Sequence, residues 1–337
     1  MGLDGRIAIV TGATKGVGRG IGSELARNGA RVFVTGRSVP DGERLDKQIT
    51  LIRCDHELDI QVEAAFNLIV SEAKAIDILV NNVWGGYERM VEEGVFTWSK
   101  PFWEQPLWRW DAMFRAGVRA HYQASQIAAR AMIAQGRGLI VNISFWAAQK
   151  HIGNVAYGVS KAATDKMTAD MATELKQYGV AVVSLYPGLV RTERVMESAK
   201  WLDLSNSESP EFIGRAVAAL AADPEILRHT GKVLVAANLA KTYGFTDIDG
   251  STPRPLTLNR SLNTFQVFLR TGDNMVKCNV RSQIGSPRPA VPQQATDIDA
   301  MKALRRGFAY TASKTQKGAC SNMEQFIGCD AHKQFSV

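Results

Sequence analysis

Arg6-Ile7-Ala8-Ile9-Val10 runs directly into Thr11-Gly12-Ala13-Thr14-Lys15-Gly16-Val17-Gly18, and this junction decides the fold. An apolar, β-branched run, then three glycines, then helical periodicity over residues 17–28 reads as strand, tight turn and helix. Glycines 12, 16 and 18 let the chain turn sharply, approach a pyrophosphate closely and pack the following helix on its sheet. A helix starting near Gly16 aims its free N–H groups and positive dipole end at that phosphate. Gly12, Thr14, Lys15, Gly16, Val17 and Gly18 are therefore candidate cofactor-binding residues. A glycine cluster alone is a weak signal; between a strand and a helix it is a strong one.

Working outward, the same alternation continues to about residue 236. Candidate strands are Arg6–Val10, Arg31–Thr35, Thr50–Cys54, Asp77–Asn81, Gly138–Ser144, Val180–Tyr186 and Lys232–Val235. Most are continuously apolar, as strands buried on both faces of a parallel sheet are. Helical stretches lie at roughly 17–28, 59–74, 109–135, 157–178 and 210–222. Strand-helix repetition implies right-handed crossovers, hence an α/β fold with a Rossmann-type doubly wound parallel sheet in a three-layer α/β/α sandwich. Residues 1–256 form the dinucleotide-binding catalytic domain, interrupted by an insertion at 83–108 rich in Trp, Phe and Gly. The alternation stops at about residue 257. Residues 257–337 read as a tail that is poorly ordered or a small appendage, with one weak helical candidate near Ile298–Arg306.

Composition bounds the function classes. The chain has 337 residues, 45% hydrophobic and 22% charged, which excludes a disordered or fibrous protein. No apolar run approaches the ~20 residues of a membrane helix. The start lacks the pattern of a secretory signal, and Arg6 leaves the myristoylation pattern unmet, so a cytoplasmic location is expected. Cys54, Cys278, Cys320 and Cys329 have no CxxC spacing and no histidine partners, so free thiols and no metal site are expected. Residues 257–337 hold 11 of the 40 Lys+Arg and 5 of the 33 Asp+Glu, which is +6 of the +7 net charge. The main body is nearly neutral, which argues against nucleic-acid binding.

The second strand ends Val34-Thr35-Gly36-Arg37. A carboxylate here accepts from the ribose 2′-OH of NAD; Arg37 cannot accept, but pairs with a 2′-phosphate. With Lys15 as a second cation, NADP(H) is the expected cofactor. Tyr157-Gly158-Val159-Ser160-Lys161 puts a phenol and an ammonium four apart on one helical face. The phenol has an ordinary pKa of ~10; an adjacent cation favours its phenolate and suits it to acid-base work. Ser144, at the carboxyl end of the fifth strand, is positioned to donate a hydrogen bond to a substrate carbonyl.

These residues together resemble the short-chain dehydrogenases/reductases, over about residues 4–250. The matching features are Thr11, Gly12, Gly16 and Gly18, Asp55 after the third strand, Asn81-Asn82 after the fourth, Ser144, Tyr157, Lys161, and Pro187-Gly188-Leu189-Val190-Arg191-Thr192. The resemblance implies that Asp55 contacts adenine, that Asn82 lies along the adenosine ribose, and that Pro187, Gly188, Val190 and Thr192 meet the nicotinamide carboxamide. Lys100-Pro101-Phe102-Trp103-Glu104, Arg119-Ala120-His121-Tyr122, Pro224 and Leu239-Ala240-Lys241-Thr242-Tyr243-Gly244 narrow it to the dehydrogenase/reductase member 1-like subgroup. That subgroup is similar to NADPH-dependent carbonyl reductases of steroid-like and xenobiotic ketones. One position departs: where the family commonly has a proton-relay Asn, this sequence has Gly117. His121, one turn on, either substitutes for it or is structural. Helices 109–135 and 157–178 are the family's usual dimer-forming pair, so a homo-oligomer is implied.

Trp84, Trp98, Trp103, Trp108 and Trp110 lie in or beside the insertion, Phe145 and Trp146 follow Ser144, and Trp201 follows the sixth strand. Either these aromatics build an apolar pocket for a bulky hydrophobic carbonyl substrate, or they pack the insertion onto the body. Residues 191–209 read as a lid. The expected activity is NADP-dependent carbonyl reduction with Ser144, Tyr157 and Lys161 as the catalytic residues. An NAD-dependent alcohol dehydrogenase and a catalytically silent dinucleotide-binding scaffold remain the competitors.

Overall fold

The computed structural model describes residues 2–38, 47–92, 95–98, 100–197, 199, 202–256, 264–271 and 274–281. In residues 2–256 the order is β1 (Ile7–Val10), α1 (Gly16–Arg27), β2 (Arg31–Gly36), β3 (Ile49–Arg53), α2 (Asp59–Ala73) and β4 (Ile78–Asn81). Then come a two-residue ribbon of β5 (Val91–Glu92) and β6 (Val95–Phe96), α3 (Leu107–Ala112), a π-helical segment Met113–Arg119, and α4 (Ala120–Gln135). The body closes with β7 (Gly138–Ile143), α5 (Val155–Leu175), β8 (Val180–Tyr186), α6 (Glu193–Met196), α7 (Pro210–Ala222), β9 (Val233–Val235) and α8 (Ala236–Tyr243).

Seven strands form one parallel sheet in the order β3-β2-β1-β4-β7-β8-β9. β4 and β8 are buried along their whole length, which is why they are written Ile-Leu-Val-Asn and Val-Ala-Val-Val-Ser-Leu-Tyr rather than in alternation. Two apolar clusters cover the two faces. One gathers Ile21 and Leu25 of α1 and Phe212 and Val217 of α7; the other gathers Phe66 and Ile69 of α2, Ala128 of α4 and Leu175 of α5. This is the three-layer doubly wound fold expected from sequence. Strand order reverses between β1 and β4, and an open α/β sheet binds its ligand in the crevice at such a reversal.

A buried polar ladder fixes the strands beneath that crevice. Asn81 on β4 donates to Asn142 on β7 (2.8 Å) and to Ser125 on α4 (2.9 Å). Asn142 donates to Thr168 on α5 (2.8 Å), which shares a hydrogen bond with Ser184 on β8 (2.8 Å).

The structure corrects the sequence reading in two places. The stretch 109–135 is not one α-helix: seven residues, Met113–Arg119, are π-helical. That wider turn packs against Gly85, where a Cβ would lie 2.7 Å from the Ala112 carbonyl oxygen and 3.0 Å from the Ala116 Cβ. The second correction is α8, a helix absent from the sequence expectation; it is short and capped by Gly244 in the left-handed region. Beyond residue 257, β10 (Thr264–Thr271) and β11 (Asn274–Arg281) pair in antiparallel register as one hairpin. Phe265, Val267 and Leu269 carry a period-2 signal for it. The helical candidate Ile298–Arg306 lies outside the described residues, as does Trp201. Among the described residues no helix is long and apolar enough to cross a membrane, and no cluster of metal-ligating side chains occurs.

Candidate active site

β1 ends at Val10, Thr11 follows it, and Gly12 turns the chain at φ +64°. A Cβ on Gly12 would lie 2.7 Å from the Val83 Cα, so the turn presses on the segment after β4 and admits only glycine. Asn82 ties the two loops together, its amide donating to the carbonyls of Thr11 and Gly12 (3.0 Å each). Gly18 packs beneath, where a Cβ would meet Asn82 at 2.5 Å and Ala13 at 2.8 Å. The first turn of α1 thus faces a cleft of about 350 Å³, lined among others by Thr14, Lys15, Arg37, Asp55 and Thr192. The glycine cradle and the uncapped α1 N-terminus fit a dinucleotide's diphosphate. The Gly16 N–H already has an anionic partner: the Glu193 carboxylate accepts it at 3.0 Å and 3.4 Å.

At the other end of the cleft Arg37 pairs with Glu88 (3.0 Å) and more distantly with Glu57 (3.9 Å). The Asp55 carboxylate accepts from the Glu57 N–H (3.0 Å). His56 is buried against Thr35 (2.7 Å), and burial lowers its pKa to about 4, so it is neutral.

Ser144, Tyr157 and Lys161 come together out of solvent, at 0%, 0% and 1% exposure. Ser144 follows β7, and its hydroxyl reaches the Lys161 carbonyl (3.4 Å). Tyr157 sits in the first turn of α5, whose N-cap, Asn154, accepts from the Tyr157 N–H (3.0 Å). The Lys161 ammonium donates to the Ile143 carbonyl (3.1 Å) and lies 5.8 Å from the Tyr157 ring centre. Burial lowers the Lys161 pKa to about 7, with Asp165 opposing. Burial, then the neighbouring Tyr87 phenol, push the Tyr157 pKa well above its ordinary value. Burial thus acts against the lowering that a neighbouring cation would give.

Aromatic rings enclose the phenol: Trp98 at 5.6 Å, Trp84 and Tyr87 at 6.1 Å, Phe145 at 6.4 Å. Trp98 is fully buried. Asn154 donates to its carbonyl (2.9 Å), and buried Arg109 lies over its ring (5.7 Å) while donating to the carbonyls of Thr97 (3.2 Å) and Arg89 (2.8 Å). The same insertion leaves Trp103 at 72% exposure, and Trp146 packs on Tyr186 (5.3 Å) instead of on Tyr157. Trp98 thus packs the insertion onto the body beside Tyr157, while Trp103 does not. His121 is neutral, its pKa lowered to about 3 by burial first and then by the Lys161 charge, and its Nε2 donates to the Val83 carbonyl (2.8 Å).

The Pro187-Gly188 turn follows β8. Buried Glu208 accepts the Gly188 N–H at 2.6 Å, and the chain pairs Val190 with Glu208 as an isolated parallel bridge. Burial raises the Glu208 pKa to about 7. Thr192 caps α6 (3.3 Å to the Val195 N–H), and Arg194 donates to the Tyr87 carbonyl (2.8 Å), tying the expected lid to the aromatic wall.

Of the sequence-derived residues, Gly12, Thr14, Lys15, Gly16, Val17, Arg37, Asp55, Asn82 and Thr192 line the cleft. Gly18, Pro187, Gly188 and Val190 do not line it. Ser144, Tyr157 and Lys161 are separated from it by Trp84 and Tyr87, which touch both. Sequence reasoning missed Tyr87, Glu88, Glu193 and Glu208, each of which acts on a partner distant in the chain.

A family model described as short chain dehydrogenase matches residues 6–203. Dehydrogenase/reductase SDR family member 1 of Mus musculus is 40% identical over 269 residues, covering 74% of this chain and 85% of that protein. The Homo sapiens protein of that name is 38% identical with the same coverage. The 7alpha-hydroxysteroid dehydrogenase of Escherichia coli (strain K12) is 31% identical over 57% of this chain and 73% of its own length. Among solved structures, a 7 alpha-hydroxysteroid dehydrogenase complexed with NADH and 7-oxo glycochenodeoxycholic acid has TM-score 0.58 at 27% identity, covering 69% of this chain and 93% of its own.

Proposed function

The chain belongs to the short-chain dehydrogenase/reductase family, in its dehydrogenase/reductase member 1-like subgroup, and from that premise we propose that it is an NADP(H)-dependent carbonyl reductase acting on bulky hydrophobic ketones or aldehydes. The observation that carries the reading is the burial together of Ser144, Tyr157 and Lys161 behind a glycine cradle. The first turn of α1, with Thr14 to Val17, holds the diphosphate; Asp55 and Asn82 flank the adenosine; Lys15 and Arg37 meet the 2′-phosphate. Bound NADPH supplies the hydride for the carbonyl carbon. Tyr157 delivers its hydroxyl proton to the oxygen that becomes the alcohol, and Ser144 donates a hydrogen bond to that oxygen as charge develops on it. The Lys161 ammonium, fixed on the Ile143 carbonyl, stabilises the phenolate left behind. Trp84, Tyr87, Trp98 and Phe145 supply the apolar wall that favours a bulky substrate.

A second reading, an NAD-dependent alcohol dehydrogenase, is favoured by the carboxylates of Glu88 and Glu57 on Arg37, which are themselves ribose-hydroxyl acceptors. The test is consumption of NADPH and of NADH over steroidal, bulky aromatic and short-chain carbonyls, in wild type and Arg37→Asp. Preference for NADPH that Arg37→Asp reverses by about tenfold or more supports the first reading. Preference for NADH in wild type selects the second. Tight NADPH binding without turnover on any carbonyl overturns both. Exposed Tyr122 on α4 and Val155 and Val159 on α5 support a homo-oligomer built on those helices.

A further inference from the structure

We infer that Trp84 is a positioning residue for Lys161: its indole face, seated in the hollow left by Gly117, holds the ammonium beside Tyr157 where the family's relay would use a polar side chain. The inference rests on reading Lys161 as part of the catalytic set.

Lys161 carries a buried cation with three protons to satisfy. One goes to the Ile143 carbonyl (3.1 Å). Among the described residues no carboxylate lies within ion-pairing distance of the ammonium. What faces it most closely is the Trp84 ring, whose centre lies 3.5 Å from Nζ, well inside the ~6 Å range of a cation–π contact. The other titratable groups around it are few. On its own helix are Tyr157, and Asp165, whose carboxylate is engaged by the Tyr186 hydroxyl from β8. From α4 comes His121, neutral, with its Nε2 committed to the Val83 carbonyl. Tyr87 completes the set from the segment that carries Trp84. None supplies a charge at contact.

Trp84 is held from three sides. The His121 bond fixes the residue before it, and Tyr157 meets its ring edge-on (6.1 Å, 87°). On the third side is Gly117, where a Cβ would lie 2.7 Å from Cζ3 and 2.8 Å from Cε3 of the indole. Separations this short force the ring to move, so an asparagine at position 117 and the indole at its observed place exclude each other. Gly117 and Trp84 are a matched pair. A desolvated cation–π contact is worth about one pKa unit or more to the lysine, in the direction that keeps it charged.

The experiment uses full-length protein carrying 13Cε-lysine, with the Lys161 resonance assigned by its loss in Lys161→Met and followed through a pH titration without substrate or cofactor. Trp84→Leu removes the π face and is expected to lower the Lys161 midpoint by about one unit; Trp84→Phe, which keeps a face, by less than half of that. Gly117→Ala, which displaces the indole without altering it, shifts the midpoint in the same direction as Trp84→Leu. An unchanged midpoint in Trp84→Leu or Gly117→Ala overturns the inference, as does a Trp84→Phe shift equal to that of Trp84→Leu. In the active enzyme the alkaline limb of kcat moves to lower pH with the midpoint. A protein that turns over no carbonyl would defeat the proposed function, whereas the titration of Lys161 reads the Trp84 contact without any turnover.

Discussion

The glycine-lined cleft and the buried cluster behind Trp84 and Tyr87 solve opposite problems. At the α1 end, the candidate cofactor contacts are built from backbone: Gly12 in the left-handed region, Gly18 against Asn82, and an N-terminus without a side-chain cap from its own N-cap residue. At the α5 cluster, the candidate catalytic groups are side chains withdrawn from solvent, with Ser144, Tyr157 and Lys161 at 1% exposure or less inside aromatic walls. A diphosphate needs donors that are already oriented, and a turn fixed by glycine sterics provides them without burial. Proton transfer needs charges that respond to their surroundings, and burial makes them respond: the Lys161 pKa falls to about 7 while that of Tyr157 rises. Binding and chemistry should therefore fail separately.

The sharpest way to break that contrast is Tyr157→Phe. It removes one buried oxygen and leaves the ring among Trp84, Tyr87 and Trp98. We expect kcat/KM to fall by about 10²–10⁴-fold, with the cofactor Kd, read by quenching of tryptophan fluorescence, unchanged within about threefold. A large loss of cofactor affinity would mean that the two ends are not separable.

Legibility divides along the same line. The strand-turn-helix at residues 6–28 and the four-residue spacing of Tyr157 and Lys161 are local patterns, and local patterns survive in a single sequence. What the sequence could not carry is which distant groups meet. Trp98 and Trp103 lie five residues apart in one insertion, yet one is sealed against Tyr157 and the other faces solvent. The difference is made by Asn154, the cap of α5, and by Arg109 on α3. Gly117 was legible as a departure, but its reason, the Trp84 ring, comes from 33 positions earlier in the chain. Arg37 was legible as a cation; that Glu88 would hold it was not.

Glu208 tests whether burial acts as strongly below the Pro187-Gly188 turn as around Lys161. Its folded pKa is about 7, raised from 4.5 by burial against the opposing Gly188 N–H. The folded state therefore holds this proton more tightly than the unfolded chain. The associated stability is full below about pH 4.5 and is lost as pH rises through 7. Glu208→Gln, which keeps an acceptor for Gly188, should flatten that slope. Relative to wild type it gains on the order of 2–3 kcal/mol between pH 5 and pH 8, read from urea unfolding at both values. Parallel pH profiles for the two proteins would refute a buried titrating carboxylate. At the opposite end, Gly12→Ala should lower the stability of the fold by about 1–2 kcal/mol, read from urea unfolding, since a left-handed non-glycine residue costs about that much. The Lys161 midpoint should stay where it is.

The smallest effect is the most informative about how the two ends communicate. The Glu193 carboxylate accepts the Gly16 N–H, a donor that a bound diphosphate would claim, and its neighbour Arg194 holds the Tyr87 carbonyl (2.8 Å), hence the wall of the phenol cage. On the proposed reading, a cofactor would therefore displace a resident anion from the positive end of α1. A carboxylate at an exposed helix N-terminus is worth about 0.3–1 kcal/mol. Glu193→Gln should accordingly tighten NADPH binding about two- to fivefold, with the gain shrinking as salt screens the contact in wild type. Because Arg194 follows Glu193 directly, release of one side chain frees the segment that anchors the other. The Tyr87 environment should then change on cofactor binding in wild type and change less in Glu193→Gln. Weaker binding in Glu193→Gln would reverse the assignment, making Glu193 a partner of the bound cofactor instead of its competitor.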